Sequence, residues 1–185
     1  MNKNKSLIIV FICVMLFHMI LCNNINSFGK KYYPHPIHIY DLGFDYLPNL
    51  NKFAYISDII VVLSCLFLPG IFTKFIYLII PIFLIRAITI HLTLLPSVEN
   101  CHIPSVIYSK FFGGCYDKIF SGHFAIVFLI TLLLLEKSYI SLFALTLINF
   151  LHGLFIIAVR NHYTIDIVVS FFVTLCVYLL FHKLT

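Results

Sequence analysis

Two short stretches carry side chains that could do chemistry. In "NHYTID", residues 161–166, His162 and Asp166 stand four positions apart, one turn from each other on the same face of any helix that begins there. A carboxylate so placed can take the N–H of one imidazole nitrogen, which fixes the tautomer and raises the basicity of the other. That second nitrogen is then a base or a nucleophile. A helix cap with His and Tyr at a water boundary would look the same, and spacing alone leaves both readings open. In "CYDKIFSGHF", residues 115–124, Ser121, Gly122 and His123 open an apolar run as a cap, a small residue and a second imidazole. Backbone N–H groups at a helix start favour anions such as phosphate, and glycine lets a ligand approach the backbone. Ser-Gly is also an ordinary loop-to-helix junction.

A third stretch, "IRAITIHLTLLP" at 85–96, puts Arg86 inside an apolar run with Thr89 and Thr93 after it. Counted back from Pro96, the guanidinium lies roughly 15 Å deep by helix rise. A charge at that depth needs a partner, for which Asp166, another carboxylate or a lipid phosphate would serve. Lone histidines on apolar helices are more often packing residues, and His18, His91 and His152 are read that way.

The elements that must position these groups follow from composition. The chain is 62% hydrophobic and 10% charged, with mean hydropathy +1.05, which excludes an ordinary soluble globule. Strand-like alternation is absent, and backbone polar groups in hydrocarbon must pair internally, so an all-α polytopic membrane protein is expected. A span needs about 20 apolar residues. Six transmembrane helices are expected at about 6–22, 54–69, 72–94, 119–135, 139–159 and 163–182, forming one domain over residues 1–185. Pro69-Gly70, Leu95-Pro96-Ser97, Glu136-Lys137-Ser138 and Arg160-Asn161-His162 mark the breaks, and residues 23–53 form a polar loop. The first segment follows Lys3 and Lys5 as a signal peptide would, but no small-x-small site is evident near Asn24-Ile25-Asn26, so a retained anchor is expected.

With the N-terminus in the cytosol, the loops 23–53, 96–118 and 160–162 share the opposite face, and His123 and His162 both arrive at that end. Two imidazoles and a carboxylate converging there suit phosphoryl transfer: one ring attacks phosphorus and the other protonates the leaving oxygen. Basic residues divide almost equally between the two faces, so they do not fix orientation. The net charge of +5 fits anionic lipid head groups better than a nucleic acid. Cys101 and Cys115 bracket the 96–118 loop; a disulfide between them and two free thiols are both open. No zinc-ligand spacing occurs, so no metal is expected.

These residues resemble a known family. "CYDKIFSGHF" is similar to the C-G-D-x-x-x-S-G-H-T motif of the sphingomyelin synthases, "HYTIDIVVSFF" to their H-Y-T-x-D-V, and "RAITIHLTLLP" to their R-x-I-T-x-x-x-T-x-L-P. "IYDLGFDYLP" at 39–48 resembles their loop motif before the second span. The resemblance implies an integral membrane phosphotransferase that moves phosphocholine, or a related head group, from phosphatidylcholine to ceramide and releases diacylglycerol. It implies a catalytic triad of His123, His162 and Asp166, no cofactor, and an active site facing the Golgi lumen or the cell exterior. Arg86, Ser121, Gly122 and Tyr163 are the candidate substrate contacts. Homo-oligomerisation is left open.

Two positions depart from the motif, Tyr116 in place of glycine and Phe124 in place of threonine, which leaves choline, ethanolamine and inositol phosphate all in play. An aromatic cage could hold a choline, with Tyr32, Tyr33, Tyr40, Tyr46 and Tyr108 available on the outer face. Lipid phosphate phosphatases share S-G-H and H-x-x-x-D. They add an arginine six residues before the second histidine, where this chain has Ile156, and a K-x-x-x-x-x-x-R-P pattern that does not occur here. A non-catalytic lipid-binding protein or a transporter is the remaining class; neither broken helices nor repeats, the marks of a transporter, are clear.

Overall fold

The structure, a computed structural model, describes residues 3–35, 37, 39–98, 101 and 114–184. Tyr108 and Lys110, and most of the 96–118 loop, lie outside the described residues. Seven α-helices are described: α1 Lys3–Tyr32, α2 Leu42–Tyr46, α3 Tyr55–Ser64, α4 Phe72–Leu92, α5 Gly122–Glu136, α6 Leu142–Ala158 and α7 Thr164–Leu184. Among the described residues no strand occurs.

Three of these, α1, α4 and α7, are long and apolar enough to cross a membrane. The expectation of six spans meets shorter elements elsewhere. The segment 54–69 breaks into the ten-residue α3 and a 3-10 turn, Cys65–Phe67, while α5 and α6 run for 15 and 17 residues. At about 1.5 Å per residue these fall below the roughly 30 Å of a hydrocarbon core. The first helix runs the other way, past the expected end at 22 to Tyr32. Asn26, which suggested a loop, sits buried on it with its amide satisfied: Nδ2 donates to Cys22 O at 2.8 Å and Oδ1 accepts from Tyr116 N at 2.9 Å.

The core is built on α5. Its sequence is apolar all round, the mark of a helix enclosed by others; Phe128, Leu129, Ile130 and Leu133 are fully buried. It packs against α3, α4, α6 and α7, while α1 lies along α4. Outside, large apolar side chains cover α1 (Ile9, Ile12, Leu16, Ile20), α6 (Phe143, Phe150) and α7 (Phe172, Leu180). Such continuous apolar faces fit lipid contact, and packing between helices there rests on van der Waals fit rather than on expulsion of water.

One charged cluster fixes the helix directions. Lys74, in the first turn of α4, pairs with Glu136 at the end of α5 at 2.6 Å, and His182 at the end of α7 reaches the same carboxylate at 3.1 Å. Thus α4 runs against α5 and α7, and the starts of α5 and α7 meet the end of α4. His123, His162, Asp166 and Arg86 are thereby delivered to one end of the bundle, as the sequence predicts.

Two glycines are required by close approach. A Cβ at Gly43 would fall 2.4 Å from Thr164 Oγ1, and one at Gly29 would fall 2.1 Å from Tyr116 Cγ. The second explains how the chain tolerates a tyrosine where the resembled motif has glycine: the end of α1 supplies the missing space. Phe124, the other departure, stacks on His152 with ring centroids 6.2 Å apart.

His152 is buried, and neither ring nitrogen has a hydrogen-bond partner. An orphaned buried polar group costs about 1–3 kcal/mol, and an apolar group of similar size removes that cost. His152→Leu is therefore expected to hold or raise the thermal unfolding midpoint of the detergent-purified protein. A clear drop would show that the imidazole makes a bond.

Candidate active site

Asp166, in the first turn of α7, is fully buried. Its Oδ2 accepts from His162 Nδ1 at 2.9 Å and from the Tyr163 N–H at 3.1 Å, while Oδ1 accepts from the Ile119 N–H at 2.8 Å. One carboxylate thus orients the imidazole and holds the loop that leads into α5. Ile119 has φ 67, a left-handed conformation that is strained for a β-branched residue, and the bond to Asp166 holds it there. Ser170, one turn further along α7, adds a second stitch: its hydroxyl accepts from Ser121 N at 2.7 Å and donates to Asp166 O at 2.6 Å. Ser121 caps α5 by accepting from Phe124 N at 3.3 Å.

His123 follows in the first turn of α5, and its ring centroid lies 6.4 Å from that of His162. Its Nε2 is 2.6 Å from Asp58 Oδ1 on α3. The site therefore holds two imidazole–carboxylate pairs facing each other. The second carboxylate is one that the sequence reading missed. Its signal was a lone acid in the apolar run 54–69, which at membrane depth is itself a functional pointer. The start of α3 is tied to the other half of the site as well, since Asn161 Nδ2 donates to Ser57 Oγ at 2.6 Å.

Arg86 is turned away from this gap. Its Nη2 pairs with Asp117 Oδ2 at 3.0 Å, Nε donates to Phe120 O at 3.0 Å, and Nη1 meets His18 and Cys22 of α1. Of the carboxylate partners expected from sequence, it takes another carboxylate, Asp117, rather than Asp166. Gly122 faces this guanidinium, with a built Cβ 3.4 Å from Arg86 Nε, an ordinary contact. Tyr163 is buried with its hydroxyl 3.4 Å from Pro96 O. Cys101 and Cys115 form a disulfide, which resolves the choice left open by the sequence and braces the loop just before Asp117.

Burial and neighbouring charges shift the ionisable groups of this loop. Burial works to raise the pKa of Asp117, but Arg86 and Lys118 overcome it and hold the carboxyl below its ordinary range. Burial lowers Lys118, against Asp117 and Asp166; its Nζ donates to Asn161 O at 2.7 Å. For His162, burial dominates over the opposing Asp166, with Lys118 and His123 adding to the fall, and its pKa is lowered to about 4. The ring therefore stays unprotonated through the neutral range.

Two predictions follow from the charges. An NMR titration of the His162 ring should show neutral imidazole down to pH 5, with protonation only as pH falls through about 4. The stability gained by burying the neutral ring is present above the ordinary histidine pKa and lost along the same acid limb; a midpoint near the ordinary value would contradict the geometry. Separately, Asp117→Leu leaves the Arg86 guanidinium buried without its counter-charge. It should cost about 3–5 kcal/mol, read as a lowered unfolding midpoint, whereas an unchanged midpoint would mean that the pair is solvated.

Residues 114–183 match the family model described as PAP2 superfamily C-terminal, a superfamily that includes sphingomyelin synthase-related and lipid phosphatase families. The matched stretch is less than half of the chain, yet it contains His123, His162 and Asp166; Arg86 and Asp58 lie before it. No curated protein matches the chain. The likeness of its C-terminal part to this superfamily supports an enzyme acting on phosphate esters, with lipids as its substrates.

Proposed function

We propose that the chain is a sphingolipid synthase, which transfers a phospho-head group from a glycerophospholipid such as phosphatidylcholine to ceramide. The observation that carries this reading is the pair of imidazoles, each held by its own carboxylate, facing one another with ring centroids 6.4 Å apart. That gap has room for a phosphorus atom between a nucleophile and an acid at near-attack distances of about 3–3.5 Å.

With its Nδ1–H given to Asp166, His162 has the Nε2 lone pair free to attack phosphorus. The bond from phosphorus to the glyceride oxygen breaks, and protonated His123, oriented by Asp58, passes a proton from Nδ1 to that oxygen, releasing diacylglycerol. The head-group phosphate now sits on His162, and Asp166 stabilises the charge on the ring. In the second step His123 takes the proton of the ceramide primary hydroxyl. The hydroxyl oxygen attacks phosphorus, the N–P bond breaks, and sphingomyelin leaves. This reading assigns the phosphate oxygens to Ser121 and the backbone N–H groups at the start of α5.

In this reading all six apolar segments cross, the shorter helices matching a locally thinned bilayer. The three loops around the site then lie on the lumenal or outer face, in the Golgi or the plasma membrane. The disulfide supports that placement, since such bonds persist in oxidising compartments. Hydrolysis differs only in the second step, where water replaces ceramide. The superfamily match favours a lipid phosphate phosphatase equally, so it is the second reading.

Membranes given fluorescent ceramide and phosphatidylcholine should form a new polar lipid, and His162→Ala should abolish it while expression persists. Asp58→Asn should lower the rate by about 10²-fold or more, the typical contribution of a positioned acid–base group. Normal product from the His162→Ala protein would overturn the mechanism. Phosphate release from phosphatidic acid without any ceramide product would establish the phosphatase.

A further inference from the structure

A cavity of about 150 Å³ is lined by Phe44, Asp45, Asn49, Arg160 and Tyr163, with Val98 among its apolar walls. It is formed where the three loops of the site end come together: the α2 region, the stretch after α4, and the link between α6 and α7. Arg160 and Tyr163 flank the proposed nucleophile in the chain, so the cavity adjoins the nucleophile's own segment.

Its walls carry a particular charge arrangement. Arg160 lies over the Phe44 ring at 4.2 Å, and the Phe44 and Tyr163 rings stack at 5.4 Å. The guanidinium Nη2 donates to Phe44 O at 2.8 Å and Leu47 O at 3.2 Å, and Nη1 reaches Ile157 O at 3.5 Å. Carbonyls hold the group in place without neutralising it, and of its five N–H donors the Nε–H and one on Nη1 remain. Among the described residues no carboxylate pairs with Arg160 and no cation pairs with Asp45. One guanidinium held by carbonyls and one exposed carboxylate thus line a single small space with aromatic walls.

We propose that this cavity is the head-group subsite, built for a zwitterion in which a phosphate ester is joined to an ammonium group, as in phosphocholine or phosphoethanolamine. The phosphate lies toward Arg160 and His162, and the ammonium lies toward Asp45 and the Phe44–Tyr163 aromatic wall. Size agrees with this occupant: whole-ligand pockets run to about 300–1,000 Å³, so the space suits a head group and not a lipid body. Charge argues against a bare phosphate monoester, which Asp45 would repel, and a neutral polyol would leave Asp45 without its cation. Of the tyrosines expected to cage a choline, none of the four described ones, Tyr32, Tyr33, Tyr40 and Tyr46, lines this cavity. Tyr32, Tyr40 and Tyr46 are exposed and stand outside the cavity lining. The proposal rests on the head-group transfer reading and adds to it the residues that choose the head group.

The test separates the two. Saturation-transfer NMR on the full-length protein in detergent would use soluble phosphocholine and, as a phosphate without a cation, glycerol 3-phosphate. A parallel assay would follow turnover of phosphatidylcholine and phosphatidic acid, which reports whether the lipid-borne head group uses the same site. Asp45→Asn should weaken phosphocholine binding about threefold or more, the scale of a partly exposed ion pair. It should leave glycerol 3-phosphate unweakened, and Asp45→Glu should restore most of the loss. With lipids, Asp45→Asn should reduce use of phosphatidylcholine by a similar factor and spare phosphatidic acid. Equal binding of phosphocholine by both proteins, or no preference for it over glycerol 3-phosphate, overturns the subsite regardless of activity. Binding as expected with no turnover of either lipid leaves the subsite standing and ends the transfer reading.

Discussion

The site depends on one buried carboxylate that does two jobs. Asp166 gives one oxygen to the His162 ring and the Tyr163 N–H, and the other to the Ile119 N–H on a separate segment. A carboxylate with no access to water must be satisfied by protein donors, and three hydrogen bonds achieve that. The same requirement registers the start of α5 against the start of α7. Without it, Ile119 would relax from its left-handed conformation, and the turn that places His123 would lose its anchor. Orientation of the His162 ring and placement of His123 thus share one physical cause.

Around that centre lies a second polar layer, the Arg86–Asp117 pair with His18 and Cys22 on α1. Both members of the pair are almost wholly buried. Buried ion pairs are weak sources of net stability because desolvation offsets attraction, and their clearer use is to specify one arrangement over others. Here the arrangement specified is the path of 114–121. That stretch is also held by the Cys101–Cys115 bond, by Asn26 and by Lys118, so a loop with little regular structure is fixed from four sides.

Much of this was legible in the chain itself, for reasons that can be named. His162 and Asp166 are local in sequence, and helical spacing alone puts them in contact. The joint placement of His123 and His162 needed only the count of helix reversals. Arg86 was recognised as a buried charge, but its partner was not, because Asp117 comes from a loop that no periodicity describes. Asp58 was hidden for a different reason: it lies in an apolar run read as a whole, where a single acid changes the average little. Helix ends were the least readable. Asn23, Asn24 and Asn26 have the composition of a loop, yet tertiary partners such as Tyr116 keep Asn26 inside α1, while α3 stops at Ser64 although the apolar run goes on.

Asp41 caps α2 through the Phe44 N–H and reaches across to bond the backbone and hydroxyl of Thr164 at 2.7 and 2.6 Å, while Gly43 allows the two elements to touch. The short helix that bears Phe44 and Asp45 is therefore coupled to the helix that carries Asp166, the partner of the His162 ring. Changes to the wall formed by α2 are therefore transmitted to the first turn of α7, and through Asp166 to the His162 ring. The wall around Val98 is tied in as well, since the Tyr163 hydroxyl, beside His162 in the chain, donates to Pro96 O two residues before it.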